Sequence, residues 1–377
     1  MNEKQKTLPL WSLRLATQAL IVIIYLSILA VFLYSPHILK MLYSSDNTLN
    51  IYAFTEMISP EAIAEFEKEH GVSISIKYFE TNEDLYTKFK ISGGEGYDIV
   101  TPSDYMVELL RKDGLLKKLE HQKLPCMTHL DHRLMRNYYD ENNDYSLPLA
   151  WVPYGIVFRK DLFKVPMKEM SLDIIFKNPE MWFQAGMISK KFRICMVDDA
   201  REAVMLSLIY LFGDTRELGP DRIAQIQNLL IKQKDWVESY LSSSLEYFLL
   251  GGIAPVALAS SLFVRNTIEN DERFAFMIPK EGSMLVIENL AVPAACKKEA
   301  LVYKFINFLL SRRISALNSN LYGYNPTNRL AYADVEEKVL NNPNYFPPDK
   351  IFKKLHLLHN KFSLKVVEAI WLGVKFG

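Results

Sequence analysis

Strand-like and helix-like segments alternate along the chain from residue 49, and this alternation restricts the fold more than any other feature. The apolar run 49–54 is followed by Ser59-Pro60-Glu61, which is typical of a helix start, and the predicted helix ends at Gly71. A strand at 73–80, a helix at 83–91 and a turn at 92–96 come next. This order predicts an α/β fold with a mostly parallel sheet, whose ligands would bind at the carboxyl ends of strands.

The same pattern continues beyond Pro148. The predicted strands are 151–159, 193–197, 253–259, 274–279 and 284–294, and the predicted helices are 199–213, 220–234 and 298–311. A chain of 377 residues is long enough for about two domains.

The stretch 97–120 joins a short apolar strand to a helix through Thr101-Pro102-Ser103-Asp104-Tyr105. The helix, predicted from about Met106, has its leucines spaced for one buried face. Ser103 or Asp104 could cap this helix. The same side chains follow the end of a strand, where a ligand would bind, so a helix cap and a ligand rim are both open interpretations.

The segment 198-DDAREAV-204 places two carboxylates at a predicted strand-to-helix junction. Asp199 and Glu202 are three residues apart and therefore neighbours on a helix. Acidic residues in a first turn commonly complement the helix dipole, and spacing alone favours that structural role. If the two acids instead face a cleft, they would suit a cationic ligand.

Aromatic side chains occur at several predicted strand ends. Each is more often a core residue, but they recur beside hydroxyl and carboxyl groups. The aromatic residues are Phe54, Tyr105 and Trp151, and the polar neighbours are Thr55, Glu56, Ser103, Asp104 and Tyr154. Aromatic faces attract cations and cover alkyl chains, so rings with carboxylates could form a box for an organic amine.

The composition argues against some other classes of function. With 44 basic and 44 acidic residues the chain is neutral, whereas nucleic-acid-binding proteins usually carry a basic excess. Cys126, Cys195 and Cys296 are far apart, lack metal-ligand spacing and are expected to be buried. We expect no metal and no cofactor.

The N-terminal region carries an apolar run, Leu15 to Tyr34, with Lys4, Lys6 and Arg14 before it. About 20 apolar residues suffice to cross a bilayer. The basic flank predicts a cytoplasmic N-terminus, with the rest of the chain outside the cytoplasmic membrane. We expect an uncleaved anchor, and a cleaved signal sequence is the alternative.

Six segments resemble the spermidine/putrescine-binding family of periplasmic binding proteins, the receptors of ABC-type polyamine importers. They are 78-YFETNEDLYTKF-89, 97-YDIVTPSDYMVELLRKDGLLKKLE-120, 146-SLPLAWVPYGIVF-158, 197-VDDAREAV-204, 288-ENLAVPAACKKEALVYKFINFLL-310 and 322-YGYNPTN-328. The resemblance implies a type II-like fold of two lobes joined by hinge strands, which close over the ligand. The lobes are expected at 45–150 plus about 287–328 and at 151–286 plus about 329–377, after an N-terminal segment 1–44.

The resemblance also implies a ligand site. Carried over position by position, the family's site falls on Phe54, Thr55, Glu56, Met57, Ser103, Tyr105, Trp151, Asp199, Glu202 and Glu288, and near Leu258, Val286 and Leu358. Glu288 stands where the family has an aspartate. The family has larger aromatic residues where this chain has Phe54 and Met57, tryptophans near Leu258 and Val286, and a glutamine near Leu358.

Missing rings would weaken polyamine binding. Cation–π contacts are worth about 0.5–2 kcal/mol each. The loss of two or three contacts would weaken binding by roughly a factor of ten to several thousand. The main expectation is a receptor that is not an enzyme and that delivers a polyamine or related small cationic solute to an ABC permease. The alternatives are the same fold with another small solute, such as an amino acid or peptide, and an enzyme using Asp199 and Glu202 as acid and base.

Overall fold

The computed structural model describes residues 18–31, 47–164, 169–241, 244–268, 271–359, 362 and 364–376. The chain divides into two units, Met1–Thr48 and Leu49–Gly377. In the first unit, residues 18–31 form helix α1, and its apolar side chains are largely exposed, with Leu20 at 58% and Tyr25 at 71%. The predicted apolar span Leu15–Tyr34 begins and ends outside the described residues. Among the described residues, no helix combines the length and apolarity needed to cross a membrane.

Strands and helices alternate through the rest of the chain. The strands are β1 (Thr48–Ala53), β2 (Ser73–Tyr78), β3 (Ile99–Val100), β4 (Ser146–Arg159), β5 (Ile194–Val197), β6 (Val237–Leu241), β7 (Val256–Ser260), β8 (Phe274–Met277), β9 (Ser283–Ala291), β10 (Asn325–Pro326) and β11 (Leu355–Leu357). The helices are α2 (Pro60–His70), α3 (Asn82–Ser92), α4 (Asp104–Lys112), α5 (Asp173–Phe176), α6 (Pro179–Gln184), α7 (Ala200–Phe212), α8 (Pro220–Gln233), α9 (Leu245–Leu250), α10 (Ser261–Thr267), α11 (Glu299–Leu309), α12 (Arg312–Tyr322), α13 (Glu337–Leu340), α14 (Asp349–Phe352) and α15 (Leu364–Phe376). Short 3₁₀ helices lie at His121–Lys123, Pro125–His129, His132–Leu134, Lys160–Leu162, Lys234–Trp236 and Arg329–Asp334.

Local sequence signals account for the helix starts that matter for the site. Oγ of Ser59 accepts a hydrogen bond from the backbone N–H of Ala62, and Gly71 ends α2 with a φ of 63°. Asp199 caps α7 in the same way, because its carboxylate accepts the backbone N–H of Glu202 at 2.8 Å. The predicted cap at Ser59 and the predicted end at Gly71 are confirmed. The sequence allows either Asp198 or Asp199 to cap α7, and the structure shows Asp199.

The sheet is mixed, so the prediction of a mostly parallel sheet is wrong. Its order is β2-β1-β3-β9-β4-β7-β5-β6. The pairs β1–β3, β5–β6 and β5–β7 are parallel. The two longest strands, β4 and β9, are antiparallel to each other, and β4 also pairs antiparallel with β7 and β8. The alternation of strands and helices correctly predicted parallel pairing among outer strands. It does not show that the long central strands β4 and β9 run antiparallel.

Strand β4 links two groups of strands. Its first part, from Ser146 to Pro153, pairs with β9, and its second part, from Tyr154 to Phe158, pairs with β7. The strand begins five residues before the predicted start at Trp151, and its register shifts between Pro148 and Ala150. Proline cannot donate to a ladder and is tolerated at such irregularities. The predicted lobe boundaries stay a prediction.

The core packs against both groups of strands. One cluster contains Ile51 of β1, Phe66 of α2 and Phe305 of α11, whose ring lies 4.8 Å from that of Phe66. Another contains Ile156 of β4 and Leu206 of α7. The three cysteines are buried and form no disulfide, as expected. This packing fixes the strand ends that carry the polar side chains described next.

Candidate ligand-binding site

A cavity of about 520 Å³ lies where several strands end. Phe54 follows β1, Asn82 and Glu83 follow β2, and Ser103 follows β3. Asp199 follows β5, and Ser260 is the last residue of β7. The volume is within the range of about 300–1,000 Å³ typical of small-molecule sites. Strand ends therefore supply much of the lining, as the α/β pattern predicts.

Six of the eleven candidate residues line this cavity. They are Phe54, Ser103, Tyr105, Asp199, Glu202 and Glu288. Leu258, Val286 and Leu358, which the resemblance placed near the site, line it as well. These residues come from β1, β3, β5, β7, β9 and β11 and their following segments, so side chains separated by more than 300 positions meet in one cavity. A contact of each with ligand stays a prediction.

Trp151 does not lie at the cavity, and its expected placement is corrected. It is fully buried, its indole N–H donates to the backbone oxygen of Pro326 at 3.1 Å, and it packs against Phe346 and Phe352. Side chains alternate between the two faces of a strand. Tyr154, three residues later on β4, lines the cavity, so Trp151 is on the opposite face.

Thr55, Glu56, Met57 and Asp104 also lie outside the cavity lining. Thr55 and Glu56 are exposed, and Glu56 accepts a long 3.5 Å hydrogen bond from the side chain of Asn266. Glu56 has a φ of 60°, a left-handed conformation that turns the chain away immediately after Phe54. Met57 is 6% exposed, and Asp104 is fully buried.

The lining is strongly acidic. Its acidic side chains are Glu80, Glu83, Asp198, Asp199, Glu202, Glu246 and Glu288, and the basic side chain among the described lining residues is Arg201. The whole chain has 44 basic and 44 acidic residues, so this local excess does not reflect the overall composition. A cleft lined by one sign of charge concentrates ligands of the opposite sign. The cavity therefore favours cations.

Glu202 is a lining carboxyl group with both a defined hydrogen bond and a raised pKa. Its Oε1 accepts a hydrogen bond of 3.2 Å from the hydroxyl of Tyr154. The pKa of Glu202 is raised to about 8, mainly by burial and to a smaller extent by the charge of Asp199. The hydrogen bond from Tyr154 lowers this pKa, but by less than the other two effects raise it. Asp199 both caps α7 and lines the cavity, so the structural and the binding interpretations of this segment apply together.

Tyr105 connects two charged side chains of the lining. Its hydroxyl donates to Oε1 of Glu83 at 3.0 Å, and the guanidinium of Arg201 lies 4.9 Å from its ring centre. Arg201 is 7% exposed and donates through Nη1 to the backbone oxygen of His359 at 2.9 Å. This cation is therefore already engaged by protein groups.

Ser103 is held by Asn82. The side-chain amide of Asn82 donates to Oγ of Ser103 at 2.8 Å and accepts the backbone N–H of Ser103 at 3.2 Å. Ser103 stands at the N-cap position of α4, but its hydroxyl makes no capping hydrogen bond. The interpretation of Ser103 as a side-chain cap is therefore wrong. Ser103 lines the cavity, and its contact with a ligand stays a prediction.

Sequence reasoning missed several lining residues. Asn82 and Glu83 follow strand β2, and this shared position could have identified them. Phe263 lies in α10 and adds a ring to the lining, alongside Phe54, Tyr105 and Tyr154. These four rings are called the aromatic wall below. The cavity thus has more aromatic side chains than the substitutions at the family's positions suggested. Among the described residues, no group of three or more His, Cys, Asp or Glu side chains is arranged to hold a metal ion.

Comparison with known proteins finds similar periplasmic proteins. The spermidine/putrescine-binding periplasmic protein 1 of Haemophilus influenzae is 28% identical over 314 residues, which cover 83% of this chain and 84% of that protein. A putrescine-binding periplasmic protein of Escherichia coli K12 is 30% identical over 358 residues, covering 89% and 93% of the two chains.

Solved structures show the same fold. A putative spermidine/putrescine ABC transporter structure from Listeria monocytogenes superposes with a TM-score of 0.75 at 28% identity, covering 87% of this chain and 99% of that one. The expected α/β fold of two-lobe periplasmic binding proteins is thereby confirmed. The sequence model of the family of bacterial extracellular solute-binding proteins matches residues 61–347, and the chain belongs to this family.

Proposed function

We propose that this protein is the extracytoplasmic receptor of an ABC importer and that it binds a polyamine or a related linear diamine in the cavity. The observation that carries this proposal is the acidic lining, with seven carboxyl side chains and Arg201 as its basic one. Ammonium groups of a linear amine can pair with carboxylates at separate points of the cavity. The relatives named for spermidine and putrescine support the same ligand class.

The apolar part of the lining suits the methylene chain of such a ligand. Phe54, Phe263, Leu258 and Val286 all line the cavity. Aromatic and aliphatic side chains cover alkyl segments, and ring faces attract the neighbouring ammonium groups. The lining thus combines carboxylates for the charged ends with apolar side chains for the part between them.

Calorimetry with the purified full-length protein tests the proposal. We expect putrescine, cadaverine or spermidine to bind with a measurable heat, and 1-aminobutane, which has a single ammonium group, to bind at least tenfold more weakly, since each 1.4 kcal/mol lost is a factor of ten. The double variant Asp199→Asn with Glu202→Gln should weaken binding further, whereas Glu272→Gln, an exposed acid outside the lining, should not. No heat and no thermal shift with any of the three amines would refute the polyamine assignment.

A zwitterionic solute such as an amino acid is the second candidate, and Arg201 is the observation that favours it. A guanidinium at the lining could pair with a carboxylate of the ligand. Its existing contacts with Tyr105 and His359 reduce its ability to do so. Native mass spectrometry of the purified protein would distinguish a bound amino acid from a bound amine by mass.

We also propose that the apolar segment Leu15–Tyr34 holds the receptor at the outer face of the cytoplasmic membrane, near its permease, or is removed as a signal sequence. The exposed apolar side chains along residues 18–31 support this proposal, because an apolar helix surface requires an apolar surrounding. Fractionation of cells expressing the full chain, followed by intact-mass measurement, tests it. A receptor of full mass in the cytosol would refute both forms.

A further inference from the structure

Among the described residues, two buried carboxyl oxygens near the cavity have no hydrogen-bond partner. They are Oδ2 of Asp104 and Oε2 of Glu288. Asp104 is fully buried at the start of α4, and Glu288 lies on β9 and lines the cavity. A β-bridge between Ser103 and Glu288 places the start of α4 directly beside β9. The two unpartnered oxygens therefore belong to side chains on adjoining backbone segments.

Such atoms require an explanation, because buried polar atoms are nearly always hydrogen-bonded. The other contacts of Asp104 are defined: its Oδ1 accepts the backbone N–H of Tyr105 at 2.7 Å, and the backbone N–H of Ile287 also faces its carboxylate. The guanidinium of Arg201 is the cation that acts on Asp104, and it is engaged by Tyr105 and His359. Among the described residues, no Lys or Arg side chain is paired with Glu288.

The remaining titratable neighbours add no positive charge. Tyr138 and Tyr139, from the segment before β4, interact electrostatically with Asp104, and their hydroxyls donate to the backbone oxygen of Leu358 and to Oδ1 of Asn289. Glu108 of α4 lies near Tyr138. Burial and the charge of Asp104 raise the pKa of Glu288 well above its ordinary value. Two neighbouring buried carboxyls do not both ionise unless a cation joins them, and they titrate as a pair.

We propose that Asp104 is the inner carboxyl of an ammonium subsite whose outer carboxyl is Glu288. The inference rests on the proposed polyamine function and adds a positioning residue to it. The ammonium group contacts Glu288, which lines the cavity, and Asp104 supplies a second negative charge behind it. In the ligand-free protein the pair holds one proton. When an ammonium binds, that proton leaves to solvent and both carboxyls are ionised.

A purely structural role makes a different prediction. An acidic residue in the first turn of α4 stabilises the helix dipole, and Asp104 could serve only that purpose. In that case its removal would lower the stability of the fold without changing how many protons leave when ligand binds. Proton release therefore separates the two roles.

Calorimetry of putrescine binding, repeated at one pH in buffers of different ionisation enthalpy, counts the released protons. Asp104→Asn keeps the oxygen that accepts the backbone N–H of Tyr105 but removes the charge. We expect this variant to release about one proton fewer per putrescine than the wild type and to bind putrescine about tenfold more weakly at pH 8. Asp113→Asn, which removes an exposed charge at the other end of α4, should match the wild type in both respects.

Glu288→Gln provides a second test if Asp104→Asn folds poorly, since it removes the other member of the pair. It should also release about one proton fewer. If the wild type binds putrescine and both variants release as many protons as the wild type, the subsite is refuted while the polyamine function stands. If the wild type binds neither putrescine nor spermidine, the polyamine function and the subsite both fail.

Discussion

The hydroxyl of Tyr154 donates a 3.2 Å hydrogen bond to Oε1 of Glu202, and this contact joins strand β4 to the first turn of α7. Strand β4 links two groups of strands, so this bond lies beside the segment that connects them. Because the pKa of Glu202 is raised to about 8, its carboxyl is mainly protonated in the ligand-free protein at neutral pH. An arriving ammonium group would ionise it.

The first prediction concerns Glu202 and the pH dependence of stability. The pKa of Glu202 rises from 4.5 to about 8 on folding. Its contribution therefore favours the fold below pH 4.5 and is lost as the pH rises through 8. Glu202→Gln removes this loss, so the ligand-free variant should be more stable than the wild type at pH 9 by about 1–3 kcal/mol.

Thermal unfolding from pH 5 to pH 9 checks this prediction, with the two proteins expected to converge at the acid end. Glu217→Gln, an exposed acid outside the cavity lining, is the matched control and should follow the wild type at every pH. A Glu202→Gln protein that loses stability between pH 5 and pH 8 as steeply as the wild type would show that Glu202 is not the group responsible.

The second prediction tests the corrected position of Trp151. Trp151→Phe loses the indole hydrogen bond to Pro326 and leaves space beside Phe346, so it should destabilise the protein by about 1–3 kcal/mol. Because Trp151 does not line the cavity, the Kd for putrescine should stay within about twofold of the wild-type value. A change of that size is typical of substitutions away from a binding site. Denaturant unfolding and calorimetry on the same samples measure both. A large rise in Kd without a loss of stability would show that Trp151 takes part in ligand binding.

Local chemistry explains what the sequence predicted correctly. The caps at Ser59 and Asp199 and the end at Gly71 depend on neighbouring residues, so a short window of sequence is sufficient. Cavity-lining positions such as Phe54 and Ser103 follow strands, and strand ends meet at one side of an α/β sheet. These features require no knowledge of distant contacts.

The incorrect placements depend on orientation and on distant partners. Trp151 and Tyr154 are three residues apart on β4, and only the register with β9 and β7 shows which one faces the cavity. Asp104 and Tyr105 are adjacent in the first turn of α4, and only their neighbours from β9 and α7 show that Asp104 is buried behind the lining while Tyr105 is part of it. Phe263 follows the end of β7 by three residues, so it carries the same strand-end signal as Asn82 and Glu83, but only tertiary packing shows that its ring reaches the cavity.

The third prediction concerns the aromatic wall. Phe54 is partly buried, lines the cavity and packs 4.2 Å from the ring of Phe79. Indole attracts cations more strongly than phenyl, so Phe54→Trp should tighten spermidine binding by about 2–10-fold. Phe54→Leu keeps an apolar surface without a ring and should weaken binding by a similar factor. Calorimetry measures both variants, and equal affinities for all three proteins would exclude a cation–π role at this position.

The last prediction concerns the two hydrogen bonds between Asn82 and Ser103. Both residues are buried and line the cavity, so the pair fixes the rim that follows β3. Asn82→Ala leaves the hydroxyl and the backbone N–H of Ser103 without these partners, and it should cost about 1–3 kcal/mol of unfolding free energy. Ser103→Ala removes only the hydroxyl and should cost less. If the two residues act as a pair, the double variant should be less destabilised than the sum of the single variants by about 0.5–1.5 kcal/mol, as measured by denaturant unfolding. Strictly additive losses would mean that Asn82 and Ser103 stabilise the rim independently.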